Sequence, residues 1–290
     1  MKLLRFVFLL IRRGSLFQEP IDFEAKRKTL VASLPISKVV VTPVIEGTTR
    51  SRLWKIPGLY TIMASISYFR DRHKMNRMYY VSGSHRVVYV RILKAAGTSV
   101  LTGFLRLMDN NLKTVSLTDE QVDALGYYFV KNEIPDSARS FERFAIVRDP
   151  YQRIVSVYLD LFDPSSSVFS YSAYWFGILD RAMSFKEFVR VISKVPISLL
   201  GPHFSPQYYI LKELPDIKVF RIERDKTELT DLLARHDIVM GHRNKHGSDY
   251  DYRTYYDRET FELVKELYAG DVTRFGYMDE EDNLRKAISD

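Results

Sequence analysis

The sequence predicts an α/β fold with a central parallel sheet covered by helices on both faces. Three strand-like runs carry that reading, each followed by a helical period: residues 87–93 (Val-Val-Tyr-Val-Arg-Ile-Leu), 144–147 (Phe-Ala-Ile-Val) and 217–222 (Ile-Lys-Val-Phe-Arg-Ile). Parallel neighbours need a crossover long enough to hold a helix, so short strands alternating with helices mark a parallel sheet. In such sheets ligands bind at the carboxyl ends of the strands.

In chain order the elements are unequally legible. Residues 1–80 are punctuated by Pro20, Pro35, Pro43 and Pro57 and hold no motif, so they read as an N-terminal extension packed on a main domain at 81–290. The basic, aromatic-rich start contains an apolar run only from Phe6 to Ile11, far short of the roughly 20 residues that span a bilayer. No small-residue cleavage site follows it, and no transmembrane span is expected. Such an end packs on the domain or touches a membrane surface peripherally. After residues 87–93, Leu101, Phe104, Leu105 and Met108 fall on one helical face. Thr118 with Gln121 forms a capping box for a helix around Val122 and Leu125. Past Pro150, the residues Ile154, Val157, Tyr158 and Leu161 share a face. Ser184 with Glu187 caps a helix striped by Phe185, Phe188, Val189 and Ile192, and Asp225 with Glu228 marks the start of the helix after the third strand. A last helix carries Phe261, Val264 and Tyr268.

Of the 290 residues, 46% are hydrophobic and 27% charged, which is a globular and not a disordered composition. A net charge of +7 favours anionic partners, but Lys and Arg are spread along the chain and not gathered in one stripe, so no nucleic-acid partner is expected. The absence of cysteine excludes disulfides, thiolate nucleophiles and thiolate metal sites. No cluster with metal-ligand spacing is present.

Two strand-to-helix turns carry the chemistry. The first is Lys94-Ala95-Ala96-Gly97-Thr98-Ser99. A helix N-terminus offers unpaired N–H groups and the positive end of its dipole to an anion. Gly97 lets the backbone approach a phosphate closely, Thr98 and Ser99 can donate hydroxyl hydrogen bonds or cap the helix, and Lys94 supplies a point charge. The competing reading is an ordinary turn with Thr98 as cap and Lys94 solvated. A triphosphatase turn needs G-x-x-x-x-G-K-[ST]; here the lysine precedes the glycine and that pattern occurs nowhere in the chain. The second turn is Arg148-Asp-Pro-Tyr-Gln-Arg-Ile-Val-Ser156. Arg148 can grip phosphate through its planar fork, Pro150 suits a first helical turn, and Ser156 faces roughly the same way. The competing reading pairs Arg148 with Asp149 or Glu142. Two such turns in one sheet call for a ligand with phosphates at two places, such as a 3′,5′-bisphosphorylated nucleoside.

These residues resemble a known family. Arg91-Ile-Leu-Lys-Ala-Ala-Gly-Thr-Ser99 resembles the 5′-phosphosulfate loop of carbohydrate sulfotransferases that use 3′-phosphoadenosine 5′-phosphosulfate (PAPS), and residues 144–158 resemble their 3′-phosphate motif. His203-Phe-Ser-Pro-Gln207 and the tail 268–277, ending Phe-Gly-Tyr, are similar to the branch containing heparan 2-O and chondroitin-type enzymes. The resemblance spans residues 86–277 and implies a P-loop-like three-layer fold; with no full-length apolar span at the N-terminus, a soluble, bacterial-like member is expected. The resemblance implies PAPS as co-substrate, a carbohydrate or other hydroxyl acceptor, and no metal. Golgi members of that family carry a membrane anchor, and since this chain shows no full-length one a cytoplasmic location is expected. Lys94 would then neutralise charge on the departing 5′-phosphate oxygen, Ala95 to Ser99 would cradle the 5′-phosphate, and Arg148 and Ser156 would hold the 3′-phosphate. The alternative class is a nucleotide-dependent phosphotransferase, which needs Mg²⁺.

The general base is less legible. Many relatives place a His or Glu after the first motif, but no histidine occurs between His85 and His203. Asp109, Asp119, Glu120 and Glu133 remain there as carboxylates, and His203 is the alternative. Tyr208, Tyr209 and the tyrosines of 250–256, beside Arg243 and Lys245, either line an acceptor groove or belong to the core and its loops.

Overall fold

Side chains along the central strands are buried alternately in opposite directions. The computed structural model describes residues 23–36, 77–162, 179, 182–241 and 250–288. In chain order these form α1 (Phe23–Ala32), β1 (Tyr79–Ser82), β2 (Val87–Val90), α2 (Gly97–Met108), α3 (Asp119–Phe129), β3 (Glu142–Val147), α4 (Pro150–Phe162), α5 (Phe185–Ile192), α6 (Gln207–Leu211), β4 (Lys218–Arg221), α7 (Lys226–Arg235), α8 (Arg258–Phe275) and α9 (Met278–Ala287). Val87, Tyr89, Phe144, Ile146 and Phe220 bury into one core with apolar residues of α2, α3 and α7. Val88, Val90, Ala145 and Val147 bury into a second core with those of α4, α5, α6 and α8. This two-residue period places helices on both faces of the sheet, which is why its strands read as continuous apolar runs.

The strand order is β1-β2-β3-β4, with β2, β3 and β4 parallel. The expectation of a parallel sheet needs one correction, because β1 pairs antiparallel with β2, Tyr79 opposite Val90. The hairpin joining them is too short for a crossover, and only antiparallel strands can be linked so tightly. β1 starts at Tyr79, and α1 also lies on the core: Val31 is buried and the Arg27 guanidinium sits 3.7 Å from the Tyr127 ring centroid. Residues 1–22 and 37–76, with Pro20, Pro43, Pro57 and the basic N-terminus, lie outside the described residues.

Both predicted capping boxes form, Thr118 with Gln121 and Ser184 with Glu187. Asp225 does not cap α7 through its side chain, because Arg221 takes the carboxylate with its backbone N–H, Nε and Nη2 at 2.7–2.9 Å. The helix with Phe261 and Val264 is not the last one: α8 kinks at Tyr268, stops at Gly276 (φ 73), and α9 follows. At the kink the Tyr268 hydroxyl donates to the Phe204 carbonyl at 2.8 Å, and a Cβ on Gly270 would collide with the Tyr208 ring. No helix among the described residues is long and apolar enough to cross a membrane.

Candidate functional site

The first turn is built on strained backbone. Beyond β2 the chain reverses at Leu93 and Lys94, with Lys94 (φ 65) and Ala96 (φ 56) both left-handed. Each such residue with a Cβ costs about 1–2 kcal/mol, and turns of this kind direct backbone N–H groups into one concavity. Ala96 is the N-cap of α2 and provides no side-chain bond, so the first-turn N–H groups of Gly97, Thr98 and Ser99 are left uncapped. The reading of Thr98 as cap therefore fails. The hydroxyls of Thr98 and Ser99 make no hydrogen bond among the described residues. A Cβ on Gly97 would stand 3.0 Å from Arg91 Nε and 3.3 Å from the Ile92 carbonyl oxygen, so the glycine makes room for a buried cation beneath the turn. Arg91 Nη2 donates to Asp123 at 2.7 Å, while its buried Nε has no partner among the described residues.

The second turn is held by its backbone, leaving its guanidinium available. Arg148 N–H donates to Gln207 Oε1 (2.9 Å), and the Arg148 carbonyl accepts from Gln207 Nε2 (2.7 Å). Gln207 is seated by Asp271, whose carboxylate accepts the N–H groups of Gln207 (3.0 Å) and Tyr208 (2.7 Å). Asp149 N–H donates to Glu223 in the turn after β4 (2.9 Å), and Glu223 accepts the Tyr277 hydroxyl (3.0 Å). Segments 203–207 and 268–277 thus buttress this turn. The anticipated ion pairs of Arg148 with Asp149 or Glu142 do not form: Glu142 is engaged by Lys218 at 2.5 Å and His236 at 2.6 Å. The Arg148 guanidinium and the Ser156 hydroxyl have no hydrogen-bond or ion-pair partner among the described residues.

Asp149 itself is fully buried; its Oδ1 accepts from Tyr151 N–H (2.9 Å) and its Oδ2 has no partner among the described residues. Burial pushes its carboxyl up to about 7, with Glu223 and Glu280 adding to the rise against the Tyr151 hydrogen bond and the Arg148 charge. A carboxyl raised in the folded state binds its proton more tightly there than in the unfolded chain. Its stabilisation is complete below pH ~4 and is lost as pH rises through about 7. Asp149→Asn keeps the Tyr151 hydrogen bond and removes this loss. Thermal denaturation should therefore show the variant gaining on the native chain by about 1.4 kcal/mol per pH unit across that window; a constant difference between pH 5 and 8 would contradict the assignment.

Arg153 and Asp160, both on α4, join the two turns. Arg153 is buried, and its guanidinium donates to four backbone carbonyls: Leu93 (2.9 Å), Ser205 (3.1 Å), His203 (3.1 Å) and Pro202 (3.3 Å). Two helical turns further on, Asp160 pairs with the Lys94 amine at 2.7 Å. Sequence reasoning did not single out either role. The available signal was spacing: Arg153, Ser156 and Asp160 recur at helical intervals of three and four, hence on one face.

His203 is buried near these cations. Burial, then Lys94, Arg153 and Arg91, lower its imidazole to about 3, so it is held neutral. Asp109 ends α2, about 18 Å along that helix from Gly97, and accepts from Asn111 N–H (3.0 Å) in the next turn. Asp119 and Glu120 occupy the first turn of α3, and Glu133 lies beyond its end. The carboxylate at the first turn is Asp160 instead. The tyrosines considered for an acceptor groove mostly pack: the buried Tyr256 donates to the Tyr151 carbonyl (2.9 Å) and stacks edge-on with Phe185, as does Tyr255. Tyr250 and Tyr252 lie partly buried against the core, and Tyr209 lies under Lys212 at 4.0 Å. Arg243 and Lys245 are outside the described residues. No group of three or more His, Asp or Glu converges as metal donors among the described residues.

At the carboxyl ends of two adjacent parallel strands, then, lie an uncapped helix start, a guanidinium, three hydroxyls and an amine. They can receive a ligand with anionic groups at two places. No curated protein and no solved structure matches the chain. The model of the sulfotransferase family matches residues 77–278, more than half of the chain and inclusive of both turns, Arg153, Asp160 and His203. The chain belongs to the sulfotransferase family.

Proposed function

We propose that this protein transfers a sulfuryl group from PAPS to a hydroxyl of a carbohydrate acceptor, with both turns binding the nucleotide. The observation that carries this reading is the set of donors at the two turns without a partner among the described residues: Thr98, Ser99, Arg148 and Ser156, with the uncapped start of α2. PAPS, when bound, would supply the sulfuryl group for transfer, with adenosine 3′,5′-bisphosphate departing through its 5′-phosphate oxygen. The turn from Ala95 to Ser99 cradles the 5′-phosphate, while Arg148 and Ser156 hold the 3′-phosphate. Lys94 opposes the charge that grows on the phosphate oxygen as its bond to sulfur breaks and the acceptor oxygen forms the new one.

His203 takes the acceptor proton in this scheme. Burial first, and then Lys94, Arg153 and Arg91, hold its basicity down, and an anionic ligand among those cations offsets the part that they contribute. Segments 203–207 and 268–277 support assignment to the heparan 2-O and chondroitin-type branch, since the residues of that resemblance build the second turn. The same reading includes a P-loop-like three-layer fold, a domain at 81–290 with an extension before it, and a cytoplasmic location with peripheral membrane contact through the N-terminus. A phosphotransferase finds no triphosphate-binding G-x-x-x-x-G-K here and is not favoured by the family match.

The test is PAPS-dependent sulfate incorporation screened over glycans and small alcohols. Incorporation into a glycan is expected, and labelling of small alcohols alone would overturn the carbohydrate assignment. Arg148→Ala should weaken adenosine 3′,5′-bisphosphate binding by about 10- to 100-fold, through loss of a charge-assisted grip. Calorimetry on the variant checks this, and unchanged affinity would remove Arg148 from the nucleotide site.

A further inference from the structure

We propose that Asp160 positions the Lys94 amine at the first turn, so that it serves sulfuryl transfer while opposing nucleotide retention. The inference rests on the functional reading above and deepens it. α4 grips the turn at two points, Arg153 Nε on the Leu93 carbonyl at 2.9 Å and Asp160 on the Lys94 amine at 2.7 Å. The Lys94 and Asp160 side chains are 23% and 24% exposed, so this pair is not a solvated surface contact of the kind that contributes little. Lys94 moreover occupies left-handed backbone that glycine adopts at no cost, which points to a requirement for its side chain. A lysine amine rides on a flexible four-carbon stem and has no preferred direction of its own. Asp160 gives it one, along the helix face that also carries Ser156.

Such a carboxylate has opposite effects on the two halves of the reaction. It fixes the amine where the leaving oxygen develops charge, which speeds transfer. It also stands as a negative charge beside an anionic ligand and competes with that ligand for Lys94, which weakens nucleotide binding. Asp160→Asn should therefore tighten binding of adenosine 3′,5′-bisphosphate by about 3- to 30-fold. The same variant should slow conversion of PAPS to adenosine 3′,5′-bisphosphate, with acceptor or with water, by about 10- to 100-fold. Asp160→Glu should restore part of the rate, and Asp160→Asn should add no further loss to Lys94→Ala, because both act through one amine.

Calorimetry and a chromatographic assay of PAPS turnover read these quantities. A rate in Asp160→Asn equal to the native one overturns the inference. Affinity and rate falling together also overturns it, since a merely structural role gives that result, as do multiplicative losses in the double variant. Failure of the native chain to bind adenosine 3′,5′-bisphosphate overturns the functional reading itself, and this inference with it. Native binding with the opposed changes absent overturns the role of Asp160 alone.

Discussion

Replacing Arg153 by alanine is expected to lower stability by about 3–5 kcal/mol, with a fall in Tm of about 5–10 °C. The side chain is buried, and its guanidinium satisfies four carbonyls contributed by two separate segments, Leu93 before the first turn and Pro202, His203 and Ser205 in the loop before α6. Truncation leaves those acceptors without a donor and a cavity in place of a large side chain, and each loss acts in the same direction. Burial lowers the pKa of this arginine, yet the guanidinium stays charged because its unperturbed value is so high. Arg153→Lys should not rescue the loss: a compact ammonium cannot span four carbonyls arranged around a planar fork. Thermal denaturation followed by circular dichroism checks this, and a Tm within 2 °C of the native protein would contradict it. The site should fail with the fold, because the same four bonds fix the Lys94 turn relative to His203.

Lys94→Ala is expected to reduce turnover by about 10²–10³-fold or more while leaving the fold intact. A fixed cation where charge develops on the leaving oxygen acts mainly in the transition state, so its removal lowers kcat more than it weakens nucleotide binding. Arg148→Ala should behave in the reverse sense, acting on affinity first. A Lys94→Ala protein with full activity would remove the lysine from the mechanism.

Much of this arrangement was legible in the chain because local physics agreed with the tertiary outcome. The short run before Arg148 and the capping boxes at Thr118 and Ser184 formed where their residue types favoured them, and of the run at 87–93 the part Val87–Val90 is strand, the chain leaving the sheet before the turn at Lys94. β1 escaped notice because Tyr-Tyr-Val-Ser is four residues long, and its place is fixed by pairing with β2, not by periodicity. Asp225 failed as a side-chain cap because Arg221, four residues earlier, competes for the same carboxylate with three donors.

The candidate site divides in the same way. Arg148, directly after β3, and Lys94, in the turn four residues beyond β2, follow from the strand–turn–helix pattern. Partners that arrive from distant segments do not: Gln207 reaching the backbone of Arg148, Asp160 reaching Lys94 and Tyr277 reaching Glu223 are products of packing. Gly97 illustrates the limit of local reasoning, since the close approach it permits includes the buried Arg91 beneath it.

In the proposed function the two turns together form a receptor for a nucleoside phosphorylated at both 3′ and 5′ positions. Isothermal calorimetry without added metal, comparing adenosine 3′,5′-bisphosphate with ATP and adenosine 5′-monophosphate, tests it most directly. The bisphosphate should bind about 100-fold more tightly than either, the advantage coming from charge-assisted bonds to the 3′-phosphate. Preference for ATP, or equal affinity for the 5′-monophosphate, would contradict the account.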